Sequence, residues 1–290
     1  MMTPRLPRRA RAAVLVLSLA AASTLLTGCS LFGEGENERN NLNRDAANYR
    51  ERPIDMIYGD AWALLRNGNW ILAAAQFNEM ERQHPYSPWA RRAMLMSAFC
   101  SYQGNAYADA IATADQYIAL HPGSNEVSYA FYLKAVSLYE QIVDVGRDQS
   151  ATRDALVALQ DVVQRFPDTE YARDASLKID LTLDHLAGKE MAVGRYYLMR
   201  RDYIGAINRF RVVVEQYQTT PQIAESLSRL TEAYYSLGLD NEAQTAAAVL
   251  GANYPGSAWY QNAYGILRGR NLRPVADSGS WISQAFRKVL

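Results

Sequence analysis

The chemistry most plainly written in this sequence belongs to one thiol. Cys29 closes Leu26-Thr27-Gly28-Cys29. Ahead of it, Arg5, Arg8, Arg9 and Arg11 form a positive segment. Ala12 to Leu26 is an apolar run of about 15 residues, too short for a comfortable membrane span. A small residue directly before Cys, at the end of such a leader, is the bacterial lipobox pattern. It predicts that the thiol takes a diacylglycerol, that residues 1–28 are cut away as a signal peptide, and that the new amine is acylated. The competing reading is a plain signal peptide with an incidental Cys. Three acyl chains exceed the two signals that stable anchoring needs. Ser30 follows the Cys, where an Asp would retain an enterobacterial lipoprotein at the inner membrane. The expected location is therefore the outer membrane, lipid-anchored, on its periplasmic face.

Other reactive side chains are sparse. The histidines are His84, His121 and His185. His84-Pro85 and His121-Pro122 occupy the same position in a repeat, which favours a structural role over metal binding. Cys100, within Met94-Leu95-Met96-Ser97-Ala98-Phe99-Cys100, reads as a small buried thiol. Glu79 and Glu81 fit a solvated helix face, without the context of a glycosidase. There is no phosphate loop, no paired-glycine dinucleotide turn and no metalloprotease helix motif. No catalytic residue, metal or cofactor is expected.

Composition points the same way. Of 290 residues, 49% are hydrophobic and 21% charged, which excludes a disordered, collagenous or polytopic membrane chain. With 30 basic and 30 acidic residues there is no basic surplus to suit nucleic acid. Removing residues 1–28 takes four Arg and no acid, so the mature chain is acidic. Two cysteines are too few for a disulfide framework. Tyrosine dominates the aromatics, 19 against 7 Phe and 5 Trp, and its amphipathic ring suits helix interfaces and peptide grooves.

The elements that must carry these residues read as helix after helix. Helix ends recur at His84-Pro85, His121-Pro122, Phe166-Pro167 and Tyr254-Pro255, each with an Ala twelve residues before the Pro: Ala73, Ala110, Ala155 and Ala243. Three residues before those stand Trp70, Tyr107, Thr152 and Asp240. Tyr203-x-x-Ala206-x-x-x-Phe210 completes the set, although Pro221 comes three residues late. This is the tetratricopeptide pattern: a helix A, a turn, and a helix B whose small Ala permits close packing and whose Pro ends the hairpin. The expected fold is all-α, a right-handed superhelical solenoid of about five such hairpins, as one stack or two. The two longest spacings, second to third and third to fourth, call for elongated helices or inserted turns, with a loop at 144–150. The expected order is a lipidated disordered tether at 29–53, three repeats over 54–170, and two over 171–270. A tail follows at 271–290, carrying a short amphipathic helix at 280–290 with Trp281, Ile282, Ala285, Phe286, Val289 and Leu290 on one face. By the random-coil rule the tether reaches roughly 25–30 Å. The tail helix is too short to stand alone, so its apolar face must cover the last repeat, meet a partner or lie on the membrane.

Several stretches resemble the BamD family, helical-repeat lipoproteins of the outer-membrane β-barrel assembly machine. They are Arg52-Pro53-Ile54-Asp55-Met56-Ile57-Tyr58, Asn67-Gly68-Asn69-Trp70, Pro85-Tyr86-Ser87, Glu190-Met191-Ala192-Val193-Gly194-Arg195-Tyr196-Tyr197 and the Tyr203–Phe210 stretch. The resemblance covers Cys29 to about Tyr260, and the tail after Arg270 departs from the enterobacterial pattern. It implies a non-enzymatic scaffold that binds BamA and the accessory Bam lipoproteins through its later repeats. It also implies that the first repeats receive unfolded outer-membrane protein precursors. Arg209, in Asn208-Arg209-Phe210, is then a candidate BamA contact, against the alternative of a solvated surface charge. Barrel precursors end in a strand with a terminal aromatic. If helix A lines the inner surface, Tyr58, Trp62, Leu65, Phe99, Tyr102, Tyr132 and Tyr139 point into a groove that would bury it, unless they only pack between helices. Other readings are a different envelope repeat lipoprotein, for pilus assembly or cell division, and a peptidoglycan-cleaving enzyme. The latter needs an added catalytic domain, and too few residues follow the last repeat to supply one.

Overall fold

The computed structural model describes residues 51–287. Cys29, the leader, nearly all of the tether, and Val289 and Leu290 lie outside the described residues. The chain divides between Arg52 and Pro53. From Ile54 onward the described residues form twelve helices and no strand.

The repeat signature becomes geometry at the second helix of each hairpin. These helices are α2 (Trp70–Gln83), α4 (Tyr107–Leu120), α6 (Ser150–Arg165), α8 (Tyr203–Gln216) and α10 (Asp240–Asn253). Ala73, Ala110, Ala155, Ala206 and Ala243 are all fully buried. So are the residues four and seven places on: Phe77 and Met80, Ala114 and Tyr117, Leu159 and Val162, Phe210 and Val213, Ala247 and Leu250. That i, i+4, i+7 stripe is the apolar face of each helix.

The first helices are α1 (Ile54–Arg66), α3 (Pro88–Gln103), α5 (Val127–Tyr139), α7 (Glu170–Met199) and α9 (Gln222–Leu237), followed by an additional α11 (Ala258–Arg268). Successive first helices pack on one another and on their partners, so each hairpin covers the face its neighbour leaves open. Four of the five hairpins turn through one left-handed residue: Gly68, Asn105, Arg201 or Gly238. The next residue in each case, Asn69, Ala106, Asp202 or Leu239, donates its N–H to the carbonyl five places back at 2.9–3.0 Å. This is the Schellman motif, which satisfies carbonyls that a helix end leaves open.

Return turns also repeat. Ser87, Ser124, Thr169, Thr220 and Ser257 each donate a backbone N–H at 3.0–3.1 Å to the residue that ends the preceding helix, namely His84, His121, Phe166, Tyr217 and Tyr254. His84 and His121 thus occupy helix-ending positions. Pro221 is late because it stands at the start of α9 instead of at the end of α8.

Extra residues are spent in two places. The third hairpin replaces the tight turn with an irregular segment, Glu140 to Gln149. The fourth begins with α7, 30 residues long and so about 45 Å. Thr169 caps α7 by accepting from the Ala172 N–H at 3.2 Å. The helix packs on α5 and α6 and also on α8 and α9, and so links the earlier repeats to the later ones. It approaches α8 at Gly194, where a Cβ would stand 2.4 Å from the Phe210 ring.

The tail is part of the core. α11 ends in another Schellman turn at Asn271, but no second helix follows directly. An extended stretch leads to α12 (Trp281–Arg287). Ile282 is fully buried in the cluster of the last two repeats, and Trp281, Ala285 and Phe286 pack against it. The Trp281 indole donates to the Tyr234 hydroxyl at 3.0 Å, and the Arg211 guanidinium lies 4.8 Å from the centre of its ring. The apolar face of α12 therefore rests on α8 and α10. Among the described residues no helix is long and apolar enough to cross a membrane.

Candidate peptide groove

All seven side chains expected in a groove lie on first helices: Tyr58, Trp62 and Leu65 on α1, Phe99 and Tyr102 on α3, Tyr132 and Tyr139 on α5. Every one is half-buried. They pack against the cores of successive hairpins and simultaneously present an edge to solvent. They do not converge on one point. Tyr58, Trp62, Leu65 and Phe99 border the first core cluster, Phe99 and Tyr102 the second, Tyr132 and Tyr139 the third. The arrangement is a row, with Phe99 shared between neighbours.

At the amino-terminal end Tyr58 is the centre. Its ring lies 6.1 Å from Trp62, 5.9 Å from Phe77 and 5.1 Å from Trp89. Trp89, on the first turn of α3, was not among the expected groove residues. Its ring is exposed, as is Tyr86 beside it. Phe99 meets Trp70 edge-on at 6.2 Å.

The densest part lies where α3, α5 and α7 meet. Tyr171 on α7 stands 5.3 Å from Tyr129 and 5.1 Å from Tyr132. The Tyr132 hydroxyl donates to Asp174 at 2.7 Å. Lys178 pairs with Asp174 at 3.1 Å and lies 5.4 Å from the centre of the Tyr139 ring. Tyr129, Tyr171, Asp174 and Lys178 escaped the sequence reading. Tyr171, Asp174 and Lys178 do share one helical face, at i, i+3 and i+7, and that spacing was the available signal.

Electrostatics keep these phenols protonated. Burial pushes Tyr102, Tyr129 and Tyr132 upward, and the charges of Glu140 on Tyr102 and Asp174 on Tyr132 add to it. Burial also acts to raise Asp174, but the bonds from Tyr132 and Lys178 outweigh it and hold the carboxyl below its ordinary range. The row thus offers aromatic edges to solvent, while the Tyr132 hydroxyl is held by Asp174. Aromatic edges in a row are a surface on which an extended segment can pack. Among the described residues no group of His, Cys, Asp and Glu is arranged to hold a metal. Cys100 is buried, its thiol pushed up to about 12 by that burial.

Arg209 lies apart from the row, on α8. It bonds Glu190 of α7 at 3.3 Å while 45% of its side chain stays exposed. A stronger network that the sequence did not disclose joins α7 to α9. Arg195 grips Glu225 with two nitrogens, at 2.8 and 3.1 Å, and Arg229 adds bonds to Glu225 and Glu232.

Comparison with known proteins places this frame. Residues 50–250 match the family model described as YfiO, outer membrane lipoprotein. The outer membrane protein assembly factor BamD of Caulobacter vibrioides is 53% identical over 79% of this chain and 75% of its own. BamD of Rickettsia prowazekii is 44% identical over 74% of this chain and 86% of its own. BamD of Neisseria meningitidis serogroup A is 31% identical over 87% of this chain and 94% of its own. On the strength of the family model over residues 50–250 and of that identity, the chain belongs to the BamD family.

Proposed function

We propose that this chain is a non-enzymatic outer-membrane protein assembly factor, a lipid-anchored scaffold that holds BamA and accessory Bam lipoproteins and receives unfolded barrel precursors. The observation that carries it is the 53% identity to a named BamD over 79% of the chain. The lipobox supports attachment through Cys29, and the intact mass of the mature protein should show acyl chains on that residue. Unmodified Cys29 would refute the anchor.

For the precursor the support is the aromatic row. A strand not yet inserted has unpaired backbone groups and, at its end, an aromatic side chain. The ring finds tyrosine and tryptophan edges in the groove. For BamA the candidate is Arg209, whose exposed guanidinium can fork onto a partner carboxylate while keeping its bond to Glu190.

Binding of a labelled peptide carrying the carboxy-terminal strand of an outer-membrane protein, followed by fluorescence anisotropy, tests the groove. Trp62→Ala and Tyr102→Ala, singly and together, should weaken it at least about tenfold, the scale of losing buried aromatic contacts. Melting curves run beside it. Unchanged binding in a well-folded double variant would sink the reading.

A further inference from the structure

Past the tyrosine row stand apolar side chains that no helix among the described residues covers. Leu177 and Leu181, one turn apart on α7, are 66% and 59% exposed. Leu181 lines a cavity of about 300 Å³ together with Tyr139, Ile142 and Val143. Val143 is itself 41% exposed. Tyr139 belongs to the row already described, so the cavity continues the groove.

This wall is preformed. It exists because the segment Glu140 to Gln149 stands where the other hairpins turn tightly, and the segment is tied down. Gln149 is buried; its amide nitrogen donates to the Arg147 carbonyl at 3.0 Å and its oxygen accepts from Thr152 at 3.1 Å. His185 of α7 meets that same oxygen at 3.3 Å, and Lys189 donates to the Gly146 carbonyl at 3.0 Å. Exposed apolar side chains grouped beside a fixed loop mark a surface suited to a partner.

The charges around the wall say what kind of segment fits. Glu140 and Asp144 line the cavity. Asp180 and Asp184 flank Leu181 along α7. Lys178, the nearby lysine on the same helix, is already engaged by Asp174 at 3.1 Å. The lining thus holds two carboxylates and no Lys or Arg around an apolar floor. A partner bringing more carboxylate would be repelled, and one bringing Lys or Arg attracted.

We infer that this cavity is a specificity subsite of the groove, taking an extended segment that presents an aliphatic or aromatic side chain flanked by Lys or Arg. The inference rests on the peptide-groove reading and adds a preference to it. Two fluorescein-labelled peptides of equal length would separate the two. Both carry the same alternating strand with a terminal Phe, and they differ only in having Lys or Glu on either side of one central Leu. The wild-type chain should bind the Lys peptide about tenfold more tightly at low salt, with the preference shrinking as salt rises. Leu177→Ser/Leu181→Ser should weaken the Lys peptide about fivefold with Tm unchanged, because both side chains are exposed already. Asp180→Lys should narrow the gap between the peptides. Equal binding of both peptides by wild type, or full affinity in the Ser variant, overturns the subsite and leaves the groove standing. Failure of both peptides to bind wild type removes the groove, and the subsite with it.

Discussion

Tyr132 and Asp174 sit forty-two positions apart, and their 2.7 Å bond joins α5 to α7. A hydrogen bond to a charged group contributes about 1.5–3 kcal/mol when sheltered. Asp174 keeps 41% of its side chain exposed, so solvent screening reduces this to about 1 kcal/mol. Tyr132→Phe should therefore cost about 1 kcal/mol in denaturant unfolding, and little once Asp174→Asn is present; equal losses in both backgrounds would contradict the pairing. The pH dependence follows from the depressed carboxyl. Its contribution is in place above the ordinary Asp pKa near 3.9 and is lost as pH falls through the lower folded value. At this scale the sequence disclosed the two partners unequally. Tyr132 could be singled out because it falls in register on helix A of its hairpin. Asp174 could not, since its meeting with Tyr132 depends on how a helix beyond an irregular ten-residue segment and another helix comes back to pack.

At the scale of elements, the hairpin turns carry the clearest test. Each Schellman turn needs a residue with positive φ, and glycine supplies it at 68 and 238. Arg201 fills the position with φ 60, a conformation that costs an L side chain about 1 kcal/mol. Among the described residues no hydrogen bond or ion pair of its side chain offsets that cost. Arg201→Gly should stabilise the protein by about 0.5–1 kcal/mol and raise Tm by about 2 °C, as thermal unfolding followed by circular dichroism would report. A fall in Tm would mean that the guanidinium does something the turn geometry does not reveal. Helix B starts and ends were legible because Ala, an aromatic or small N-terminal residue and a closing Pro mark them. The long third-to-fourth spacing also called for an elongated helix or an inserted turn, and α7 takes the first form. Glu170–Met199 lacks any internal Pro, and with only Gly188 and Gly194 inside it nothing breaks the helix where a hairpin turn would be expected. The Ser or Thr three residues past each helix end repeats five times, yet its meaning appears only with the N–H bond it makes.

On the scale of the whole molecule, the solenoid with its row of half-buried aromatics is the body of an assembly factor, and the proposed lipid on Cys29 would tether it. Both helices of each hairpin feed the core, and the first helices also leave one edge of their aromatics exposed. The longest first helix, α7, carries both the end of the aromatic row and Glu190, the partner of Arg209. The most direct measurement is affinity purification of the full-length, tagged chain from detergent-solubilised outer membranes, with bound proteins identified by mass spectrometry. The account predicts that BamA co-purifies with the wild type. It also predicts that Arg209→Glu lowers BamA recovery several-fold at unchanged Tm, since an exposed ion pair contributes only about 0–1 kcal/mol to stability. A wild-type chain recovered from the outer membrane without BamA would contradict it.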